Sequence, residues 1–542
     1  MKRIAFILCL LLGITFAGHA NNISISNVTI LNGGAGQIQV QFDLSWENSW
    51  RVNVGPNNYD GAWVFFKYKD INGLWKHIYL TGLNNVAPAG FDIYQSNEVS
   101  RAGAMIYREP ANLGIGNVTI TGIKLGTVNS LPYDIDVKGF AIEMVYIPSA
   151  ASRAFYGDGD GTTESVNALH YTDNTATTSS VIPMLADVNT FDDAELTSDG
   201  IYVYSNDTIQ LTSPLGSLDP FPTMKPLWCM KYELTQAAYR DFLNCLSYDQ
   251  QVSRTANAPT SAIGVGAMIT SGTFRNYIEI RTPGVNNTTP AVYGCDANGN
   301  NIYDEANDGE WLACNYINWQ DMAAYLDWSG LAPMSELQFE KICRGISSAG
   351  ANPAILGEYA WGTNSIFSST YTLTSAFSAA EIASNASPSA GNAAYFSTYG
   401  TGPLRNGIFA TATSNRVTSG ATYYGVMEMT GNLSEYCIHL GSAAGRSCRY
   451  IPNGNGTLSI SGNAQLSAGS AGFWPGMEGN SSISTNNTCS GTCEVTGSAG
   501  IRLRGGSIAD AVVNLAMADR SAVFTPTART YNRGGRGVLY IR

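Results

Sequence analysis

Tyr424-Gly-Val-Met-Glu-Met-Thr-Gly-Asn-Leu-Ser-Glu-Tyr436 decides how this 542-residue chain is read. Alone it is a weak signal, but it stands in order with five other stretches. Upstream lie Lys231-Tyr-Glu-Leu-Thr-Gln-Ala-Ala-Tyr-Arg-Asp-Phe242, Ile317-Asn-Trp-Gln-Asp-Met-Ala-Ala-Tyr-Leu-Asp-Trp328, Pro333-Met-Ser-Glu-Leu-Gln-Phe-Glu-Lys-Ile-Cys-Arg-Gly345 and Tyr359-Ala-Trp-Gly362. Downstream lies Leu503-Arg-Gly-Gly-Ser507. The upstream stretches carry three helix starts. Thr235 is placed to N-cap residues 236–243, because its hydroxyl can accept from a backbone N–H that a first turn leaves unpaired. Asn318, with Asp321 in the first turn, opens a helix over Trp319 to Trp328 that Gly330 stops. Ser335 and Gln338 form a capping-box pattern ahead of Leu337, Phe339 and Ile342. The Gly/Ser/Thr/Asn-rich remainder has few helical periods and predicts loops and short strands tied to a core.

Six stretches in this order resemble the formylglycine-generating enzyme, or sulfatase-modifying-factor, family. The resemblance runs from Met144-Val-Tyr-Ile-Pro148 to the C-terminus. It implies an α+β fold: a loop-rich, C-type-lectin-like domain over 139–542, with insertions near 163–222 and 247–313.

The chain ahead of that domain reads differently. Ile38, Val40, Phe42, Leu44 and Trp46 alternate with Gln37, Gln39, Gln41, Asp43 and Ser45, the period of a half-buried strand. Val64 to Tyr68 and Leu74 to Leu80 flank Asp70-Ile-Asn-Gly73, a hairpin signal because Asn-Gly tolerates positive φ. Further strands are predicted at Val118 to Leu125 and Tyr133 to Val137. Residues 21–138 therefore predict an antiparallel β-sandwich, a spacer or adhesion module with no visible chemistry. Residues 1–20 combine Lys2 and Arg3 with an apolar run and Ala17-Gly-His-Ala20, which predicts a cleavable secretory signal and an exported protein, periplasmic, cell-surface or extracellular. No later apolar run is long enough to span a bilayer. With 30 basic against 42 acidic side chains the chain lacks the positive footprint that nucleic acid requires. Export makes disulfides the default for the nine cysteines beyond the signal. Cys489 and Cys493 can close a small loop; the other pairings are open, and the odd count leaves one over.

The resemblance implies a chemistry that these residues do not carry. The family oxidase holds Cu(I) on a cysteine pair, third and eighth after the Arg-Gly-Gly-Ser motif, because soft thiolates suit that metal. Here those positions are Asp510 and Leu515. An iron-dependent relative needs a histidine cluster, but His77, His170 and His439 lie in separate segments. No catalytic residue and neither copper nor iron is expected. Structural calcium is. The family's first calcium set maps onto Asn392, Ala393, Asn406 and Ile408, with Asn406 in place of an Asp, which predicts a weaker site. The second maps onto the Thr430, Gly431 and Leu433 carbonyls and the Glu435 carboxylate. Spacing alone adds a third candidate, an EF-hand-like start at Asp296, Asn298, Asn300 and Asp304, with Asp308 a reserve carboxylate if the loop bulges.

The parent groove is formed by the C-terminal stretch, here Asp510, Asn514, Arg520, Phe524, Arg529, Tyr531 and Asn532 among small residues. The mixture also resembles the variable region of retroelement-diversified lectin-fold proteins. The expectation is a secreted or surface-exposed, non-catalytic protein that binds a protein or glycan, or assembles with copies of itself. The alternatives are a metal-dependent oxidase of this family or a diversified ligand-binding protein.

Overall fold

The computed structural model describes residues 22–541 apart from 35–36, 96–100, 129, 133, 150–153, 157–168, 172–183, 187–200, 204–224, 270–271, 273, 346–354, 356, 440–441, 443, 446–447, 449–450, 468–472, 478–480, 484–488 and 521–527. The expected signal, most of the insertion near 163–222 and Phe524 lie outside the described residues. Eight strands come first: β1 (Ser24–Gly34), β2 (Gln37–Arg51), β3 (Asp60–Lys69), β4 (Trp75–Ile78), β5 (Phe91–Tyr94), β6 (Ala104–Arg108), β7 (Gly114–Thr127) and β8 (Val137–Ile147). The later chain supplies β9 (Leu227–Met230), β10 (Ser434–Ile438), β11 (Ile501–Arg504), β12 (Arg533–Gly534) and β13 (Val538–Tyr540). Its longer helices are α1 (Gln236–Leu243), α2 (Tyr248–Arg254), α3 (Trp319–Ser329) and α4 (Glu336–Arg344).

Strands β1, β2 and β7 form one antiparallel sheet. The alternation in β2 buries Val40, Phe42, Leu44 and Trp46, which pack with Ala62, Val64 and Phe66 of β3 in one hydrophobic cluster. The 70–74 turn joins β3 to β4 as the Asn-Gly signal requires: Asp70 Oδ1 accepts from the N–H groups of Asn72 and Leu74, both at 2.9 Å, and Gly73 takes φ +77°. β8 starts only at Val137. Pro132, Asp134 and Asp136 favour a turn where a strand was expected from Tyr133.

The second sheet has seven strands in the order β13-β9-β8-β3-β6-β5, with β4 also on β3, all antiparallel. The expected boundary after 138 falls within β8, which pairs with β3 on one edge and β9 on the other. Because successive side chains of a strand face opposite ways, Val64 and Phe66 of β3 enter the cluster beneath β2. Trp63 and Phe65 join the larger core around the helices.

One buried lysine, its pKa lowered to about 7 by burial, ties the two faces together. Lys67, 1% exposed, donates from Nζ to the carbonyls of Trp328 and Gly456, each at 2.7 Å, and to His77 Nδ1 at 2.8 Å. His77 Nε2 donates to the Ala102 carbonyl at 2.7 Å. Burial, reinforced by Lys67, keeps the imidazole neutral by driving its pKa well below the usual value.

The three predicted helix starts have the expected caps. Thr235 accepts from Ala238 N–H; Asn318 with Asp321, and Ser335 with Gln338, form reciprocal boxes. Gly330 ends α3 at φ +76°, a conformation that glycine adopts without strain. From α4, Glu336 and Glu340 meet Arg504 of β11 and Arg520, all with side chains 0% exposed, at 3.2–3.6 Å with one closer Arg520–Glu340 contact. Burial alone would push the Glu336 carboxyl up. His439, Arg520 and Arg504 outweigh it and hold the group well below the usual range. Cys489 and Cys493 form a disulfide, and the seven other described cysteines are buried thiols. Among the described residues no helix is long and apolar enough to cross a membrane.

Candidate binding groove and cation sites

The groove is built by the turn after β11. Gly505 and Gly506 take φ +86° and +67°; a Cβ on Gly506 would lie 2.5 Å from Leu515 Cδ2 and 2.8 Å from the Asn514 carbonyl. Only glycine lets this turn close on the 512–515 segment. Ser507 then sits at the centre of a polar group. Its hydroxyl donates to Asp510 Oδ2 at 2.5 Å and accepts from Asn532 Nδ2 at 3.4 Å. Burial raises the Asp510 carboxyl and the Ser507 hydrogen bond opposes that rise. Asn514 donates to Asp519 Oδ2 at 3.3 Å, and Tyr531 stacks on Phe274 with ring centroids 4.2 Å apart.

Asp510 and Asn532 thus meet around a serine absent from the expected set, although it closes the Leu503-to-Ser507 motif. The two arginines do not join them. Arg520 is spent on Glu336 and Glu340 inside the protein. Arg529 pairs with Asp321 through Nε and Nη2, at 2.7 and 2.8 Å, and donates to the Ser253 and Thr255 carbonyls. Both were expected in the groove. Each instead neutralises a buried carboxylate, because an acid without a counter-ion is costly in the interior. Leu515, 0% exposed, packs with Tyr359, Trp361, Ala393 and Tyr395.

The two mapped calcium sets differ in what surrounds them. Both oxygens of Glu435 are engaged by Arg536, whose Nε and Nη2 stand 2.6–2.9 Å away. A dication there would face a guanidinium, so this set, expected to be the stronger, does not fit calcium. The first set adjoins a small cavity, although Asn392 Oδ1 already accepts from Ser387 N–H at 2.8 Å and from the Tyr371 hydroxyl at 3.2 Å. A cavity of about 10 Å³ is lined by Asn392, Ala393, Ile408, Arg405, Thr430 and Glu428 among others, room for about one water or ion. Glu428 accepts from Gly407 N–H through Oε1 at 2.7 Å, while its Oε2 is buried without a hydrogen-bond partner. Asn406 donates through Nδ2 to the Glu233 carbonyl at 2.6 Å, leaving its buried Oδ1 unpartnered. Arg405, on one wall, turns its guanidinium to the Glu381, Asn406 and Gly407 carbonyls. Glu428 restores the negative charge that Asn406 lacks. It was legible as an acid seven residues before Glu435, but nothing local aims it at residues 392–408. Burial raises its carboxyl to about 7.

The third candidate separates. Asp296 accepts from the N–H groups of Gly299, Asn300 and Asn301, and the amides of Asn298 and Asn300 donate to Glu305. Asp304 leaves the loop to pair at 2.6 Å with the partly buried Arg240, which also meets Asp241 and Glu310. Asp308 is buried against the loop and accepts from Glu305 N–H at 2.7 Å. Among the described residues no three His, Cys, Asp or Glu side chains converge as a metal centre.

A family model described as the sulfatase-modifying factor enzyme 1-like domain matches residues 221–539. No curated protein matches the chain.

Proposed function

The chain belongs to the sulfatase-modifying factor enzyme 1-like domain family, and on that premise we propose that it is an exported, non-catalytic member that uses a C-type-lectin-like scaffold to bind a surface partner or further copies of itself. The observation that carries this reading is Leu515. Where the family oxidase presents its second copper thiolate, this chain places an aliphatic side chain among Tyr359, Trp361 and Tyr395. The first thiolate position holds Asp510, bonded to Ser507. A carboxylate and a hydrocarbon do not make a site for a soft ion. Calcium is structural in this reading and is assigned to the small cavity lined by Asn392 and Glu428, where Glu428 Oε2 has no hydrogen-bond partner.

Elemental analysis and an oxygen electrode test the proposal together. The purified protein is expected to carry calcium, to bind no stoichiometric copper or iron, and to consume no oxygen with cysteine-containing peptides. Stoichiometric copper with peptide-dependent oxygen uptake would overturn it.

A further inference from the structure

We infer that the cleft between Tyr79, Leu80 and Val128 on one side and residues 455–457, 465–467 and 491–492 on the other is a binding site for a neutral oligosaccharide. This gives the binding role proposed above a ligand class and rests on that reading; the Ser507 groove takes no part in it.

The cleft has a volume of about 530 Å³, within the range of small-molecule sites and enough for roughly two or three sugar rings. Tyr79, Leu80 and Val128 form its N-terminal wall. Asn455, Thr457, Gln465, Leu466, Ser467, Gly491 and Thr492 form the other. None of these residues is charged. A charged ligand would lose hydration here without gaining a counter-ion. A wholly apolar one would strand the hydroxyls and amides. Sugar hydroxyls both donate and accept, as do the side chains of Tyr79, Asn455, Thr457, Gln465, Ser467 and Thr492. Val128, 66% exposed, offers apolar surface to the C–H face of a pyranose, over a floor closed by the buried Leu80 and Leu466.

The polar groups are already ordered. Tyr79 and Thr457 share a hydrogen bond between their hydroxyls at 2.8 Å. Asn455 donates to the Gln465 carbonyl at 2.7 Å, and Gln465 donates to that of Thr492 at 3.0 Å. Asp327 at the end of α3 fastens the floor, accepting from Asn455 N–H and Gln465 N–H at 2.8 Å each, while Lys67 holds the Gly456 carbonyl. A site ordered before its ligand arrives loses less entropy on binding, which matters for a ligand held by many weak hydrogen bonds. Strand addition by a peptide is poorly served on the N-terminal wall. Leu80 N–H is given to Arg101 and Val128 N–H to Tyr79, leaving neither to pair with an added strand.

The test is saturation-transfer NMR on the full chain with maltotriose, cellotriose, chitotriose and mannotriose, each in turn, and an unstructured hexapeptide beside them. At least one trisaccharide is expected to bind. Ser467→Trp, which fills the cleft from an exposed position, and Gln465→Ala are each expected to weaken that binding by about tenfold or more. Ser467→Trp should also keep the parent melting temperature. Binding of none of the four sugars, binding unaltered by Ser467→Trp, or binding of the hexapeptide alone would overturn the inference. These outcomes are separable from the oxygen and copper measurements, since a sugar-binding oxidase and a sugar-inert structural protein would each fail only one test.

Discussion

Arg536 holds Glu435 by both carboxylate oxygens: Nε stands 2.9 Å from Oε1 and 2.8 Å from Oε2, and Nη2 stands 2.6 Å from Oε1. The side chains are 0% and 1% exposed. Through this pair the end of the chain is fastened to β10, and the carboxylate mapped onto a calcium ligand is given to a guanidinium instead.

Removing one member leaves the other charge buried alone. Arg536→Met and Glu435→Leu are each expected to destabilise the protein by about 3–5 kcal/mol, whereas the double variant should recover much of that loss. Urea unfolding of the four proteins gives the coupling. Additive single losses would show that the two residues act independently.

Glu428 predicts a pH dependence of definite sign. Its folded carboxyl is raised to about 7, so between the ordinary carboxylate range and pH 7 the native state keeps a proton that the unfolded chain has released. Its contribution is fully present at low pH and is lost as pH rises through the folded value, by about 3 kcal/mol over the window. Chelated protein should therefore lose stability from pH 4.5 to 7, and Glu428→Gln should flatten that part of the profile.

Calcium should reverse this loss, because it takes the deprotonated carboxylate. At a hundredfold excess over its dissociation constant it adds about 2.7 kcal/mol of stability, and its affinity should rise with pH around neutrality. Glu428→Gln should weaken calcium binding in titration calorimetry, and Glu435→Gln should not abolish it. An equal melting temperature in calcium and in EDTA at pH 7.5 would contradict the assignment.

Lys67→Met strands two carbonyls and an imidazole nitrogen at the meeting of β3 with α3. A loss of about 2–4 kcal/mol is expected in urea unfolding. The same packing predicts that a chain starting at Val137 is insoluble or aggregated when expressed. Deleting β3 leaves β8 with an open edge and uncovers Trp328 and Phe140, which lie edge-on to Phe65 at 5.0 Å and stacked on it at 5.1 Å.

The sequence by itself determined the local grammar. The hydroxyls and amides of Thr235, Asn318 and Ser335 reach backbone N–H groups within one turn. The alternation in residues 37–46 needs only a strand with one dry face. The turn at Gly73 depends on four or five neighbours. Such signals are complete within a few residues, and the structure places the three helix starts, the strand over 37–46 and the turn at Gly73 where these signals point.

What the tertiary structure decided was which charge meets which. Arg536 lies 101 residues from Glu435, Arg529 lies 208 from Asp321, and Asp304 lies 64 from Arg240. No spacing rule connects those positions. Asp321 and Glu435 meet their arginines because a buried ion must be neutralised by whatever opposite charge the packing brings beside it. The same condition withdraws Arg520 and Arg529 from the groove, takes Glu435 from calcium, and leaves Glu428, seen in the sequence only as one more acid, with an oxygen to offer.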